Sequence, residues 1–243
     1  MILFGVTIAA SSCTPIVPVD TSLITYQTNE PNPSEFYRYK VGILPVLAGE
    51  GYEGFRRTTA DAVYDAIINR YKDISLKSAQ ETRTIINDAN LTDDYSKLIT
   101  DYSTSGIIHK NILNTIADEL DVDFLLSCKV GYNASIHETL SIYSYRNYQK
   151  VSEVDIYTQL WSPLNGDIVW EGTGGCAHDK NDLNILIPCA SKGLAIIIGK
   201  NSKDVPPAQT REAVIMQISK NTTAQVWGYV IGSLALSLLL VSI

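Results

Sequence analysis

Residues 154–170, with the sequence VDIYTQLWSPLNGDIVW, constrain the fold most, because they predict a β-hairpin. Apolar and polar residues alternate at the start of this stretch, with the period of two that is typical of a strand with one buried face. The apolar positions are Val154, Ile156 and Leu160, and the polar positions are Asp155 and Gln159. The SPLNG segment that follows combines proline with Asn-Gly and predicts a turn. Residues 167–170 then begin a second strand, and the preceding chain is expected to cover one face of the pair.

The composition is typical of a folded domain that does not bind nucleic acid. The chain has 243 residues, of which 45% are hydrophobic, and a chain of this size can bury a substantial core. Its formal net charge of -7 offers nothing to compensate the phosphates of a nucleic acid. We therefore expect no nucleic-acid partner.

Residues 1–13 resemble the signal peptide of a bacterial lipoprotein. MILFGVTIAASS is apolar at first and rich in small residues at its end, and Cys13 follows directly. The resemblance implies that Cys13 receives a lipid after cleavage. The segment departs from the usual pattern in lacking a basic residue before the apolar run and in having Ala10 where leucine is usual. An ordinary secretory signal, with Cys13 incidental, is the alternative. Residues 14–38 are rich in proline and predict an extended tether.

Residues 224–243 predict a C-terminal apolar helix of the membrane type. They contain no charged residue. At 1.5 Å per residue they are just long enough for a hydrocarbon core of ~30 Å. Trp227 and Tyr229 lie where an interfacial anchor is expected, and Gly228 and Gly232 allow close contact between helices. A buried C-terminal helix is the alternative.

The segment between these ends, residues 39–219, predicts one α/β (α+β) interaction domain with a mixed β-sheet of about five strands packed by helices. The predicted order is β-α-β-α-α-β-β-β-α-α. A first helix is expected from about Thr59 with Thr58 as its cap, and Ser78 with Glu81 predicts a capping box for the next. The other predicted elements are a first strand at 39–47, a helix ending near Leu120, a strand at 124–130, a Gly-rich connection at 172–182, and helices at 185–198 and 206–219.

No group of residues in the sequence predicts catalysis, a metal site or a cofactor. The histidines are His109, His137 and His178. The group around His178, CAHD, has metal-ligand residue types without zinc spacing. The GEGYEG loop at 49–54 has two glutamates where a dinucleotide would place its phosphates. An envelope enzyme that uses the 172–182 loop is kept as an alternative, which loss of activity on His178→Ala would support.

Two further groups suggest roles outside catalysis. Cys176 and Cys189 could close a short disulfide loop in an oxidising compartment, while Cys128 lies in an apolar strand pattern and is expected to be a buried thiol. The segment from 132 to 148 is polar and rich in tyrosine, a residue that offers a large contact area with a polar tip. Its tyrosines, Tyr132, Tyr143, Tyr145 and Tyr148, are the candidate partner-binding residues, and an ordinary solvated hairpin is the alternative.

Three segments together resemble a known group of periplasmic domains. They are YKVGILPV, IADELDVDFLLSCKV and VDIYTQLWSPLNGDIVWEG, within residues 39–175. They are similar to the α/β domain shared by curli-export (CsgG-type) lipoproteins, the TolB amino-terminal domain and lipoprotein activators of penicillin-binding proteins. A strand pair with a turn and a later tryptophan, here Asn165-Gly166 and Trp170, is part of that pattern.

The resemblance implies a binding and assembly module of the cell envelope rather than an enzyme. We therefore expect a membrane-anchored lipoprotein whose domain lies in the periplasm or extracytoplasmic space. Its expected partners are membrane lipid and envelope proteins, among them further copies of the chain. A subunit of an oligomeric secretion or envelope-spanning channel is the alternative. It is disfavoured because only residues 132–151 could supply a bilayer-crossing hairpin, and charged residues interrupt them.

Overall fold

The computed structural model describes residues 17–19, 23–24, 33–140, 146–178 and 182–198. Two short 3₁₀ turns, Pro33–Arg38 and Glu53–Phe55, accompany the regular elements. The strands are β1 (Val17–Val19), β2 (Leu23–Ile24), β3 (Lys40–Ile43), β4 (Leu47–Ala48), β5 (Ser75–Lys77), β6 (Phe124–Leu140), β7 (Arg146–Ser162) and β8 (Asp167–His178). The helices are α1 (Arg56–Arg70), α2 (Ala79–Asp88), α3 (Thr92–Ser105), α4 (Lys110–Leu120) and α5 (Leu183–Ile197).

All of these strands belong to one mixed sheet. Six strands follow the order β1-β8-β7-β6-β3-β5, while β2 also pairs with β8 and β4 with β6. The pairs that involve β3 or β4 are parallel, and the β6–β7–β8 meander and its pairs with β1 and β2 are antiparallel. The predicted hairpin is confirmed as β7 and β8, with Gly166 at positive φ in the turn between them.

One face of the sheet is covered by α1 and α5, and we call it the closed face. Alternate residues of β6 and β7 point to it, and α5 packs along β7 and β8 while α1 packs against α5. Its central buried residues are Leu126, Cys128, Val130, Val154, Ile156, Trp170, Ile67, Ala190 and Leu194. The continuous apolar character of α5 follows from this position, because the helix is buried on most of its surface.

The other face carries α2, α3 and α4, which cover only the end of the sheet near the β7–β8 turn. Their apolar residues bury Leu125 and Trp161. The helix residues of this second core are Ile86, Leu98, Leu113, Ile116, Ala117 and Leu120. We call the part of this face that lies beyond Trp161 the open face, and Tyr102 of α3 contacts its near edge at Gln159.

Local signals define the helix ends on this side of the sheet. Ser78 and Glu81 form the predicted capping box: the Ser78 hydroxyl accepts from the Glu81 amide at 3.2 Å, and the Ser78 amide donates to the Glu81 carboxylate at 2.7 Å. The helix α3 ends at Gly106, whose φ of 72° is easy for glycine. The helix α4 ends at Leu120, as its apolar spacing predicted.

Two sequence predictions within the domain are wrong. Residues 172–178 are part of β8 rather than a connection, because their glycines allow close packing: a Cβ on Gly174 would overlap the backbone of α5. The first helix begins at Arg56 instead of Thr59, because the turn at Glu53–Phe55 leads directly into it, and Thr58 lies inside it rather than at its cap.

The two predicted membrane segments lie outside the described residues. Among the described helices, none combines the length and the apolar character required to cross a bilayer. Residues 1–13 and 224–243, with the predicted helix at 206–219, fall in the parts of the chain that the structure does not describe. Two pieces of the stretch predicted as a tether, β1 and β2, pair with β8 and so belong to the sheet.

Candidate interaction surface

The open face consists of three neighbouring rows of residues across β6, β7 and β8. The register aligns these rows as Ser127, Gln159 and Glu171, then Lys129, Tyr157 and Thr173, then Gly131, Asp155 and Gly175. The first row is buried, whereas Lys129, Tyr157 and Asp155 are exposed. Accessibility therefore rises from the first row to the rows of Tyr157 and Asp155, and it falls again in the next row, where Glu153 and Ala177 are buried.

Gln159 is the centre of a hydrogen-bond network on this face. Its amide nitrogen donates to the Tyr157 hydroxyl at 2.8 Å and to the Glu171 carboxylate at 3.2 Å. Its amide oxygen accepts from the Tyr102 hydroxyl at 2.8 Å and from the Trp161 indole nitrogen at 3.2 Å. Every polar atom of the Gln159 side chain thus has a partner, which satisfies a buried amide and fixes its orientation.

Glu171 is a buried carboxylate held by neutral donors. The Tyr157 hydroxyl donates to it at 2.6 Å, in addition to the bond from Gln159. Among the described residues, no lysine or arginine forms an ion pair with Glu171. Burial, followed by the neighbouring Glu171 carboxylate, raises the pKa of the Tyr157 phenol above its ordinary value. Tyr157 therefore stays protonated as a donor at neutral pH.

Tyr157 is the most prominent aromatic residue of the open face. Its side chain is 37% exposed, while Gln159 beside it is 4% exposed. The hydroxyl is anchored in the network by its bonds with Glu171 and Gln159. Such a residue presents a rigid, partly apolar surface at a small cost in conformational entropy.

Tyr102 and Trp161 form the border between the open face and the second core. Their rings meet edge to face, with centroids 4.9 Å apart. Trp161 is fully buried beneath α3 and α4, and Tyr102 is the residue of α3 that reaches the network. The helical layer and the open face therefore share one set of hydrogen bonds, so that the shape of the open face depends on the position of α3.

The structure describes two of the four predicted contact tyrosines. Tyr132 is half-buried: its hydroxyl donates to Ser152 at 3.0 Å, and its ring lies 5.1 Å from the Tyr52 ring. Tyr148 is in β7, opposite Glu138 in the register. Tyr143 and Tyr145 lie outside the described residues. The structure thus places Tyr132 within the domain and does not bring it to the open face.

The cysteines lie on the closed face. Cys176 of β8 is bonded to Cys189 of α5, with their Cα atoms 5.8 Å apart. Cys128 is a buried free thiol, and burial raises its pKa to about 12. A thiol in this state is inert at neutral pH. Cys13 and the predicted interfacial residues Trp227, Gly228, Tyr229 and Gly232 lie outside the described residues.

The histidines lie at three separate places in the fold, and His137 is in β6. His109 precedes α4, and its Nε2 atom lies 2.6 Å from the Asp101 carboxylate. His178 is the last residue of β8. In the described part of the chain, no three metal-ligand residues come together in a cluster.

Sequence reasoning missed Tyr157 and Glu171 as members of a site. The available signal was the alternation in residues 154–160, which already placed Asp155 and Gln159 on the face away from the core. A strand whose second face is polar over several rows indicates a face without a helix on it. The pairing of Glu171 with Gln159 depends on the register across the turn.

Comparison with known proteins finds only distant structural similarity. No protein-family model matches the chain, and no curated protein matches it. The PelC dodecamer from Paraburkholderia phytofirmans is similar with 11% identity and a TM-score of 0.38, covering 72% of this chain and 97% of PelC. The lipoprotein GNA1162 from Neisseria meningitidis has 14% identity and a TM-score of 0.35, with coverages of 60% and 88%. The LpoB C-terminal domain from Escherichia coli has 13% identity and a TM-score of 0.35, with coverages of 59% and 90%.

These similar structures include a lipoprotein, the coarse class that the sequence resemblance predicted. Their identities and TM-scores are too low to assign this chain to a family or to transfer a function.

Proposed function

We propose that this chain is a membrane-anchored, extracytoplasmic module without enzymatic activity, which binds an envelope protein through the open face. The observation that carries the proposal is the unequal covering of the sheet. One face is closed by α1 and α5, whereas Tyr157 and Asp155 on the other face are exposed. A flat, polar sheet face with an anchored aromatic residue has the chemistry of a protein contact rather than of a catalytic cleft.

The network beneath Tyr157 favours binding. Because Gln159 and Glu171 are already hydrogen-bonded within the chain, a partner that covers Tyr157 leaves no buried polar group unpaired. The exposed charges of Lys129, which is beside Tyr157 in the same row, and of Asp155 in the next row supply a polar rim. Tyr157 at the centre and charges around it match the usual arrangement of a protein interface.

The compartment is supported by two independent features. The Cys176–Cys189 disulfide is of a kind that persists in oxidising compartments. The sequence before Cys13 resembles a lipoprotein signal peptide, and residues 224–243 contain no charged residue. We propose that the lipid on Cys13 and the C-terminal apolar segment hold the domain at a membrane of the cell envelope.

Intact mass of the full chain from its native membrane tests the anchor. We expect a mass that corresponds to cleavage before Cys13 plus a lipid, and its loss in Cys13→Ser. Retention of residues 1–12 with an unmodified Cys13 would contradict the lipoprotein part of the proposal and leave the interaction surface to be tested separately.

Photo-crosslinking tests the interaction surface. A benzophenone amino acid replaces Tyr157 in the full chain, and the matched control replaces Tyr37, which is 41% exposed at another part of the domain. We expect a discrete adduct at position 157, identified by mass spectrometry as an envelope protein or a second copy of the chain, that is absent at position 37. Equal adducts at both positions, or none at 157, would reject the open face as the contact.

A further inference from the structure

Glu171 is bonded through one of its two carboxylate oxygens. The Tyr157 hydroxyl and the Gln159 amide nitrogen both donate to Oε2, at 2.6 Å and 3.2 Å. No described donor bonds to the other oxygen, Oε1. Oε1 is not among the buried side-chain atoms that lack a partner in the described part of the chain, so it is open to water. The side chain as a whole is 6% exposed, and Oε1 is therefore the part of Glu171 that a partner can reach.

The charge of Glu171 has no counter-ion among the described residues. Its donors are a phenol and an amide, both neutral, and the described ion pairs involve other carboxylates. Lys129 belongs to the next row and lies two strands away, with Tyr157 on the strand between them. An ionised carboxylate loses favourable hydration when it is covered, and an opposite charge offsets that loss best. A partner that covers Tyr157 alone leaves Oε1 in water, whereas a partner that covers Glu171 as well must supply a cation.

Tyr157 adds an aromatic surface beside this carboxylate. Its hydroxyl is fixed on Oε2 of Glu171, and 37% of its side chain is exposed. A guanidinium is planar and weakly hydrated, so it can bind a carboxylate and stack on an aromatic ring at the same time. A lysine ammonium is a strongly hydrated point charge and lacks the planar fork. The pair of Glu171 and Tyr157 therefore has the chemistry that recognises an arginine.

We propose that the partner of the open face is an envelope protein with a positively charged contact surface, and that it inserts an arginine beside Tyr157 with the guanidinium on Oε1 of Glu171. The inference rests on the proposed function, because it specifies the partner of the same surface. The arginine supplies the charge that the described residues lack, and it bonds to the oxygen that they leave open. Gln159 and Tyr157 hold the carboxylate in place before the partner arrives, which reduces the cost of ordering it on binding.

A protein of opposite charge is a better source of this arginine than a second copy of the chain. The chain has a formal net charge of -7, so two copies repel each other as they approach. A positively charged contact surface is attracted instead, which raises the rate of association. We therefore assign the arginine to a different protein.

Photo-crosslinking in intact envelopes tests the inference, with the charge of Glu171 as the variable. In the full chain, p-benzoylphenylalanine replaces Lys129, which is exposed in the row of Tyr157 and lies outside the proposed pair. The control position is Leu164, which is 75% exposed in the β7–β8 turn at the far end of the sheet. Each labelled chain is made with Glu171 and with Glu171→Gln, which keeps the shape of the side chain and removes its charge. Glu119→Gln, on the exposed surface of α4, removes the same charge elsewhere.

We expect one adduct with a different envelope protein at position 129 and none at position 164. Its yield should fall at least about tenfold in Glu171→Gln, because the partner's buried arginine loses its counter-ion. The yield should change less than about twofold in Glu119→Gln, where an exposed charge is removed. Circular dichroism of the Glu171→Gln chain checks that the substitution has left the domain folded.

A double-mutant cycle separates an ion pair from a structural effect of Glu171. Mass spectrometry of the adduct locates the crosslinked peptide of the partner, and the arginine in or beside that peptide is replaced by glutamine. This change should lower the yield by the same factor as Glu171→Gln, and the two changes together should cause no further loss. If Glu171→Gln fails to fold, the partner's arginine variant decides the question alone.

The outcomes distinguish this inference from the proposed function. An adduct at position 129 whose yield is unchanged in a folded Glu171→Gln chain, or in the partner's arginine variant, overturns the inference and leaves the open face as the contact. An adduct with a second copy of the chain overturns the assignment of the arginine to a different protein. The absence of an adduct at position 129 in every chain rejects both the inference and the proposed contact surface.

Discussion

The two faces of the sheet differ although the same strands form them. Ile156 and Tyr157 are neighbours in β7, yet Ile156 is fully buried under the helices of the closed face and Tyr157 is 37% exposed on the open face. The closed face is held by apolar burial and a disulfide, and the open face by a hydrogen-bond network around Gln159. Stability therefore comes mainly from one side of the hairpin, and the other side is the one that we propose for recognition.

This division has a physical reason. Apolar burial contributes most of the free energy of folding, so a face that carries it must be covered within the chain. A face whose polar groups are satisfied among themselves costs little when left uncovered, and it can later be covered by a partner. Changes to the closed face should therefore affect folding, and changes to the open face should mainly affect binding.

The largest expected effect is that of Ile156→Ala on the closed face. Removing a buried isoleucine side chain leaves a cavity and should lower the free energy of unfolding by about 2–5 kcal/mol. Lys129→Ala, on the exposed open face, should change it by no more than about 0.5 kcal/mol. Urea denaturation of both variants measures the difference in their free energies of unfolding. Similar losses of stability in the two variants would contradict the claim that the closed face carries the stability.

The disulfide provides the next test of the closed face. Replacing Cys176 and Cys189 by alanine should lower the free energy of unfolding by about 2–4 kcal/mol, because the unfolded chain regains the freedom that the bond removes. Dithiothreitol should bring the wild type to the same stability and leave the double variant unchanged. If the reductant lowers the stability of the double variant as well, the loss does not come from this bond.

Alanine substitutions at two glycines compare the packing of the closed face with that of the open face. Gly174→Ala should cost about 1–3 kcal/mol, because the new methyl group would overlap the Ala190 carbonyl oxygen and the Leu194 amide of α5. Gly131→Ala is the matched change on the open face, where the nearest atom, the Asp155 carbonyl oxygen, is 4.0 Å away. The melting temperature of Gly174→Ala should be well below that of Gly131→Ala. The reverse order would contradict the assignment of the two faces.

Apart from the control substitutions Lys129→Ala and Gly131→Ala, the smallest effect on stability is expected for Tyr157→Phe. Loss of the hydroxyl that donates to Glu171 should cost about 1 kcal/mol at neutral pH. The pKa of Tyr157 is raised in the folded state, so the folded chain binds the phenolic proton more tightly than the unfolded chain does. The stabilisation is therefore complete below the ordinary tyrosine pKa of about 10 and is lost as the pH rises through the folded pKa.

Urea denaturation of Tyr157→Phe and the wild type over a range of pH measures this linkage. The difference between the two chains should be constant from neutral pH to about pH 9 and should shrink above about pH 10. A difference that grows with pH would mean that the hydroxyl does not act as a donor to Glu171.

The sequence was sufficient for the parts of the fold that repeat a simple pattern. The alternation in residues 154–160 predicted β7, and Asn165-Gly166 predicted the turn. The Ser78 and Glu81 pair predicted the start of α2, and the apolar spacing up to Leu120 predicted the end of α4. These features depend on residues close in sequence, which is why they could be predicted from the chain alone.

Features that depend on distant residues were not predictable in this way. The glycines at 172–175 indicated a loop, whereas they allow β8 to pack closely beneath α5. The pairing of β1 with β8 places proline-rich residues in a sheet through partners more than a hundred residues away. The site around Tyr157 requires both the register of β7 and β8 and the approach of Tyr102 from α3.

The central claim is that the open face is covered by a partner in the envelope and the far turn is not. Maleimide labelling of Lys129→Cys in intact envelopes and in the purified chain tests it most directly, with Leu164→Cys as the exposed control at the opposite end. We predict that the cysteine at 129 is protected in envelopes and reactive after purification, while the cysteine at 164 reacts in both. Equal reactivity of the cysteine at 129 in envelopes and in the purified chain would contradict the account.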